Sequence, residues 1–136
     1  MNEENINLGQ AGRRWFIELD WYQRNNRSFS TLARSHMCPK CQERLKGGEG
    51  EISASDILAT IKDCCSQAPG FIRGELPILE SVFRLFLANG NKPLDVEELG
   101  KQLSECRGGD TYCTSAEILS RLLGSDKYYG LRKEKA

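Results

Sequence analysis

Histidine is almost missing from this chain of 136 residues. His36 stands alone, close to a cysteine bend at residues 38–41 that reads as a metal site, so no serine, histidine and aspartate set can be assembled for nucleophilic catalysis. Net charge is missing as well. Nineteen basic residues balance 19 acidic ones, so no global field draws the protein to nucleic acid or to an anionic membrane, and any such attraction has to be local. No stretch approaches the roughly 20 apolar residues of a membrane span. The opening residues Met1 to Gln10 are polar and contain no apolar run, which is not the make-up of a secretory leader. The expectation is a soluble, cytoplasmic protein with room for one compact domain, or for two very small ones sharing a core.

Against this background the six cysteines carry the information. In a reducing compartment paired cysteines hold metal more often than they form disulfides. Cys38-Pro39-Lys40-Cys41 forms a bend that can aim both sulfurs at one point, and the adjacent Cys64 and Cys65 can close a tetrahedral Zn²⁺ site from across the fold. Thiolates suit Zn²⁺ because it accepts four soft donors without redox change. The expected ligands are Cys38, Cys41, Cys64 and Cys65, with His36 as the alternative fourth ligand. The competing reading is that the downstream pair are small buried hydrophobes. Four protein ligands leave no open position, so such a site is structural and not catalytic. Cys106 and Cys113 flank a loop with no further ligand nearby and read as isolated thiols. A redox role for Cys38 and Cys41 would require a βαβ context that the sequence lacks.

Taken in order, the chain is mainly α with some β. Trp15 to Tyr22 alternates, with Ile17, Leu19 and Trp21 on one side and Glu18 and Asp20 on the other, which predicts a half-buried strand. Arg13, Arg14, Arg24 and Arg27 flank these aromatics, a pattern that could stack on bases, although Trp15 and Trp21 also read as core or partner anchors. Ser28 or Ser30 caps a short helix through Arg34 that leads into the cysteine bend. Lys46 to Gly50 is a plain turn, since it lacks the lysine and hydroxyl placement of a phosphate-binding loop. Ser53 and Asp56 have capping-box spacing, Ile52 and Ile57 are placed as a staple, and Ile57, Leu58, Ile61, Cys64, Cys65 and Ala68 recur at helical spacing until Pro69-Gly70. Residues 1–74 therefore read as an N-terminal zinc-binding region.

Residues 75–136 have a different character. Pro77 opens a helix whose stripe of Ile78, Leu79, Val82, Phe83 and Phe86 stops at Asn89-Gly90. Asp95 and Glu98 start a second helix that carries Leu99 and Leu103 inward and runs to about Glu105. After a break at Arg107 to Asp110, Thr114 and Glu117 start a third, with Ile118, Leu119, Leu122 and Leu123 as its apolar face. Tyr128 to Arg132 then reads as a short strand. Three helices followed by a strand is the order of a winged helix-turn-helix.

On these residues the C-terminal half resembles the winged-helix (HARE-HTH type) module of the delta subunit of bacterial RNA polymerase and of some chromatin-associated proteins. The likeness is carried by the first apolar helix, the Asn91-Lys92-Pro93-Leu94 connection into Glu97-Glu98-Leu99, and the ending from Leu122-Leu123 to Tyr128-Tyr129-Gly130-Leu131-Arg132. The connection from Cys106 to Cys113 is longer than the family's tight turn. The whole chain also resembles a small group of bacterial proteins, a likeness that implies no function of its own. The module resemblance implies a non-catalytic, transcription-associated factor whose partner is DNA or a protein of the transcription machinery. Phosphate contacts are then expected from Arg121, Lys127, Arg132 and Lys133. The alternative is an adaptor, or a homodimer, in which Trp15, Trp21 and Tyr22 present a patch to a partner.

Overall fold

The computed structural model describes residues 14–46, 53–67, 71–72, 76–106 and 115–134. In chain order these form β1 (Trp15–Ile17), α1 (Leu19–Arg24), α2 (Phe29–Arg34), α3 (Pro39–Lys46) and α4 (Ala54–Asp63), followed by a 3₁₀ turn (Cys65–Gln67). Then come α5 (Ile78–Ala88), α6 (Val96–Cys106), α7 (Ala116–Gly124) and β2 (Leu131–Lys133). None of the described helices is long and apolar enough to cross a membrane.

Most helix starts follow from side-chain caps. The Ser28 hydroxyl accepts from the Thr31 amide, Ser53 from Asp56, and the Asp95 carboxylate from Glu98. The last start is shifted by one residue from expectation, because Ser115 and not Thr114 takes the cap, accepting from the Ile118 amide. Pro77 also sits one place earlier than expected, as the N-cap of α5. Helix α5 ends with Gly90 and Asn91 both at positive φ and with the Asn91 amide donating back to the Phe86 carbonyl at 2.6 Å, the 6→1 bond of a Schellman closure.

The aromatic stretch differs more from its expected form. Only Trp15–Ile17 is strand; Glu18 turns the chain, and Leu19, Trp21 and Tyr22 lie on α1. Strand β1 pairs antiparallel with β2, Trp15 opposite Lys133 and Ile17 opposite Leu131. Its other edge is taken by the residues that lead into α6. Trp15 and Leu94 exchange both backbone bonds at 2.7 and 3.0 Å, and the Asn91 side-chain amide does the same with Ile17 at 2.8 and 2.9 Å. The outer edge of β2 is blunted by its own neighbours. Asp126 accepts the Leu131 amide at 2.9 Å and Arg132 donates to the Leu131 carbonyl at 2.8 Å, leaving that residue nothing to offer a further strand.

A column of rings joins the start of the chain to its end. Trp21 meets Tyr22 edge-on, Tyr22 meets Phe29, Phe29 meets Phe83, and Phe83 lies against Tyr129 with centroids 5.0 Å apart. Trp15, Trp21 and Tyr22 are thus buried in the core. That corrects the expectation of an aromatic patch for a partner: rings of this size gain more from packing in the column than from standing in water. The column needs Gly130 where the chain turns into β2. Gly130 has φ +71, and a Cβ there would lie 2.8 Å from Tyr22 Cε1. Leu99, Leu103, Leu119, Leu123 and Leu131 complete the same core from α6, α7 and β2.

Candidate metal centre

The cysteine bend is built by the start of a helix. Pro39 occupies the first position of α3, where its fixed φ is already helical and its missing N–H is not needed. Cys38, just outside, accepts the amides of Cys41 and Gln42 on its carbonyl, both at 3.0 Å. The Gln42 side chain reaches back to the Met37 carbonyl at 2.8 Å and fixes the entry to the bend. Cys38 and Cys41 therefore project from one turn. The expected motif contained no helix here, yet a proline followed by polar residues of good helix propensity was its signal.

The second pair comes from the far end of α4. Ile57, Leu58 and Ile61 bury one face of this helix, which stops at Asp63, earlier than the apolar spacing predicts. Cys64 departs from helical angles at φ −126 and ψ −63, and Cys65 opens the 3₁₀ turn. The departure matters chemically. Adjacent residues on a continuous helix point about 100° apart, whereas a break between them allows both sulfurs to approach the same bend.

The sulfurs of Cys38, Cys41 and Cys64 all lie within 4.8 Å of one another, placed to hold a metal ion. Cys38 Sγ is 4.0 Å from Cys64 Sγ and 3.5 Å from Cys65 Sγ. Tetrahedral Zn²⁺ with bonds of about 2.3 Å would set its sulfurs about 3.8 Å apart. The two observed separations bracket that value; Cys38, Cys41 and Cys64 form the group that could hold an ion, and Cys65, near Cys38, is not one of the three. The Cys38 amide also donates to Cys65 Sγ at 3.2 Å, an outer hydrogen bond of the kind that orients a thiolate ligand.

Electrostatics divides the thiols. Cys38 is drawn down to about 7, chiefly by the backbone amide of Cys41 and further by the neighbouring thiols against the opposing pull of desolvation. Burial pushes Cys41 up to about 12 and raises Cys65 in the same direction. One thiol ionises readily. Cys41 and Cys65 resist adding a second negative charge in a buried place until a cation arrives to neutralise it.

His36 does not join this group. Its Nδ1 donates to the Leu32 carbonyl at 2.9 Å and its ring stands edge-on to Phe83, with burial lowering its pKa. Cys113 and the side chain of Cys106 lie outside the described residues, as do Ile52, Ala68 and the turn at 47–50.

The four expected phosphate contacts are distributed unevenly. Arg121 is exposed on α7 and pairs with Glu117 at 3.4 Å, and Lys127 is exposed on the turn that follows. Arg132 is half-buried, donates to the Asp126 and Leu131 carbonyls and lies 5.5 Å from the Trp21 ring centre. Lys133 sits 5.7 Å from the Trp15 ring centre. A contact without a local sequence signal is that of Arg27, whose guanidinium lies 4.2 Å from the centre of the Tyr128 ring. Such pairs form only when the two ends of the chain meet. No family model, no curated protein and no solved structure matches this chain.

Proposed function

We propose that this chain is a non-catalytic, transcription-associated binding protein. One structural Zn²⁺ on Cys38, Cys41, Cys64 and Cys65 fixes its N-terminal part, and α5, α6, α7 and β2 work as a winged-helix module that binds nucleic acid. The reading rests on the sulfur cluster: Cys38 lies within 4.0 Å of both downstream cysteine sulfurs. Four thiolates around one ion leave no position for substrate or activated water, which argues for scaffold over catalyst. The ion's contribution is to clamp the first turn of α3 to the last turn of α4. Arg121 and Lys127 supply exposed positive charge on and after α7, while Arg132 and Lys133, lying over indole rings, keep their charge at the protein surface beside them.

Mass spectrometry on protein purified without a metal-affinity tag is expected to find one zinc per chain. Fluorescence anisotropy with duplex DNA at low and raised salt is expected to show micromolar, salt-dependent binding that Arg121→Ala with Lys127→Ala weakens. Zinc-free folded protein refutes the first part, and duplex binding absent at both salts refutes the second. A protein-docking reading is favoured by one observation. Ile118 on α7 stands 48% exposed, an apolar side chain where a partner of the transcription machinery or a second copy would cover it. Affinity capture from the host, or a concentration-dependent mass in solution, tests that reading.

A further inference from the structure

Two guanidinium groups meet two aromatic rings where the end of α1 faces the turn before β2. Arg27 lies between Tyr128, 4.2 Å from its ring centre, and Trp21, 5.7 Å away, while Arg132 approaches the same Trp21 ring at 5.5 Å. Among the described residues no carboxylate pairs with Arg27. The one acid built into the turn, Asp126, is 4% exposed and faces inward, accepting the amides of Tyr128, Tyr129 and Leu131. Lys127 is exposed beside it. Positive charge is thus left at the surface around a ring that is itself 49% exposed.

Tyr128 stands outside the aromatic column that holds its neighbour Tyr129. The ring is fixed by cation–π contact with Arg27 and by a perpendicular pairing with Tyr129, centroids 4.8 Å apart. A ring held still and half-open is pre-organised to stack on a flat ligand, because little rotamer freedom remains to be lost. We infer that Tyr128, with Arg27, Lys127 and Arg132 around it, is a stacking site for an unpaired base of single-stranded nucleic acid, the three cations taking the flanking phosphates.

Duplex bases are already stacked on one another and cannot meet such a ring, whereas a single strand offers both a free base face and backbone charge. The inference rests on the nucleic-acid reading above but places the contact on the turn before β2 and not on α7. Three phosphate contacts predict a log–log salt slope of about −2 for a single strand, or about a 20-fold loss of affinity between 50 and 200 mM salt.

The test uses the full zinc-loaded chain with short labelled oligothymidine and oligouridine, and a duplex of the same length, read by anisotropy. Single-strand binding with that slope is expected, weakened roughly tenfold by Tyr128→Ala and retained by Tyr128→Phe, which keeps the ring. Arg27→Gln is expected to weaken binding and flatten the slope, and it gives the reading should Tyr128→Ala lose its fold. Single strands that do not bind, or that bind Tyr128→Ala and Arg27→Gln as they bind the parent, overturn the site. Duplex binding that survives in that case leaves the α7 reading standing, so the two failures are distinguishable.

Discussion

Helix α4 buries three side chains along ten residues, Ile57, Leu58 and Ile61, whereas α5 buries six along 11, among them Val82, Phe83, Leu85, Phe86 and Leu87. Each large apolar side chain taken from water contributes roughly 2 kcal/mol. Helix α5 can therefore dock by packing alone, and α6 and α7 follow it with Leu99, Leu103, Leu119 and Leu123. Helices α2 and α3 are shorter, at six and eight residues, and α2 buries Phe29 and Ala33. The cluster of sulfurs stands at the junction of two helix ends, within the buried core. The contrast teaches that a helix with a broad apolar face docks by burial alone, while the junction of two helix ends is lined by thiols.

Metal removal should produce the largest effect, and it should fall on one side of the contrast. Binding of structural Zn²⁺ is worth on the order of 10 kcal/mol in small zinc domains, more than the apolar contacts of α4 can replace. Stripping the ion with a strong chelator, or Cys41→Ser, is expected to abolish hydrogen-exchange protection in α3 and α4. Protection in α5 and α7 should persist. Exchange that is unchanged after chelation, or lost evenly along the chain, would remove the distinction between the two regions.

Gly130→Ala is expected to come next, because it strikes the seam where both regions meet. A left-handed φ costs an ordinary residue about 1–2 kcal/mol, and wedging a methyl against packed rings costs about 1–3 kcal/mol more. With the new Cβ 2.8 Å from Tyr22 and 3.0 Å from Trp21, neither ring can retreat without disturbing the column. A loss of about 3 kcal/mol in urea denaturation is the expected outcome. A single transition by every probe would show that the seam couples the two regions.

These positions also show how far the chain could be read before its structure. The capping pairs at Ser28, Ser53 and Asp95 act over three residues, so spacing alone reveals them. The stripes of α5 and α6 are legible for the same reason, and that of α7 in part, since Leu119 and Leu123 are buried while Ile118, expected on the same face, stands exposed; the proximity of the two cysteine pairs is legible as well. What stayed hidden is non-local. Alternation at Ile17, Leu19 and Trp21 looks like a strand because nothing local records that Gly130 and Tyr129 receive Tyr22 from the far end of the chain. The Tyr22 hydroxyl donates to the Tyr129 carbonyl at 2.5 Å, a bond that only a helical Tyr22 can make here. Helix α3 is hidden for a different reason: two cysteines two residues apart imply a metal-binding bend, and the proline that starts a helix lies inside that same motif.

That hydroxyl gives a smaller effect, with a pH signature. Burial first, and the nearby Asp126 second, hold the Tyr22 phenol well above its ordinary pKa. In the unfolded chain it ionises near pH 10, while in the fold it keeps its proton. The unfolded state thus loses a proton that the folded state retains, and stability falls as pH rises above about 10. Tyr22→Phe is expected to cost about 1 kcal/mol at neutral pH, by leaving the Tyr129 carbonyl without its donor, and to flatten the alkaline decline. Parallel stability curves for parent and variant above that pH would contradict the assignment.

The smallest effect expected on stability is at Glu117, and it sharpens the contrast from the other side. Glu117 and Arg121 pair at 3.4 Å across one helical turn with their side chains 85% and 73% exposed. An exposed pair at this spacing contributes no more than about 0.5 kcal/mol, so Glu117→Gln should leave the melting temperature almost unchanged. Its effect should appear in binding. The glutamate neutralises the one cation that α7 offers a phosphate backbone, and removing it leaves Arg121 free and the surface more positive. A gain of two- to threefold in duplex affinity, about 0.5 kcal/mol, is expected at low salt, fading as salt rises. Should duplex affinity stay constant while the pair is broken, α7 is not the surface that meets the duplex.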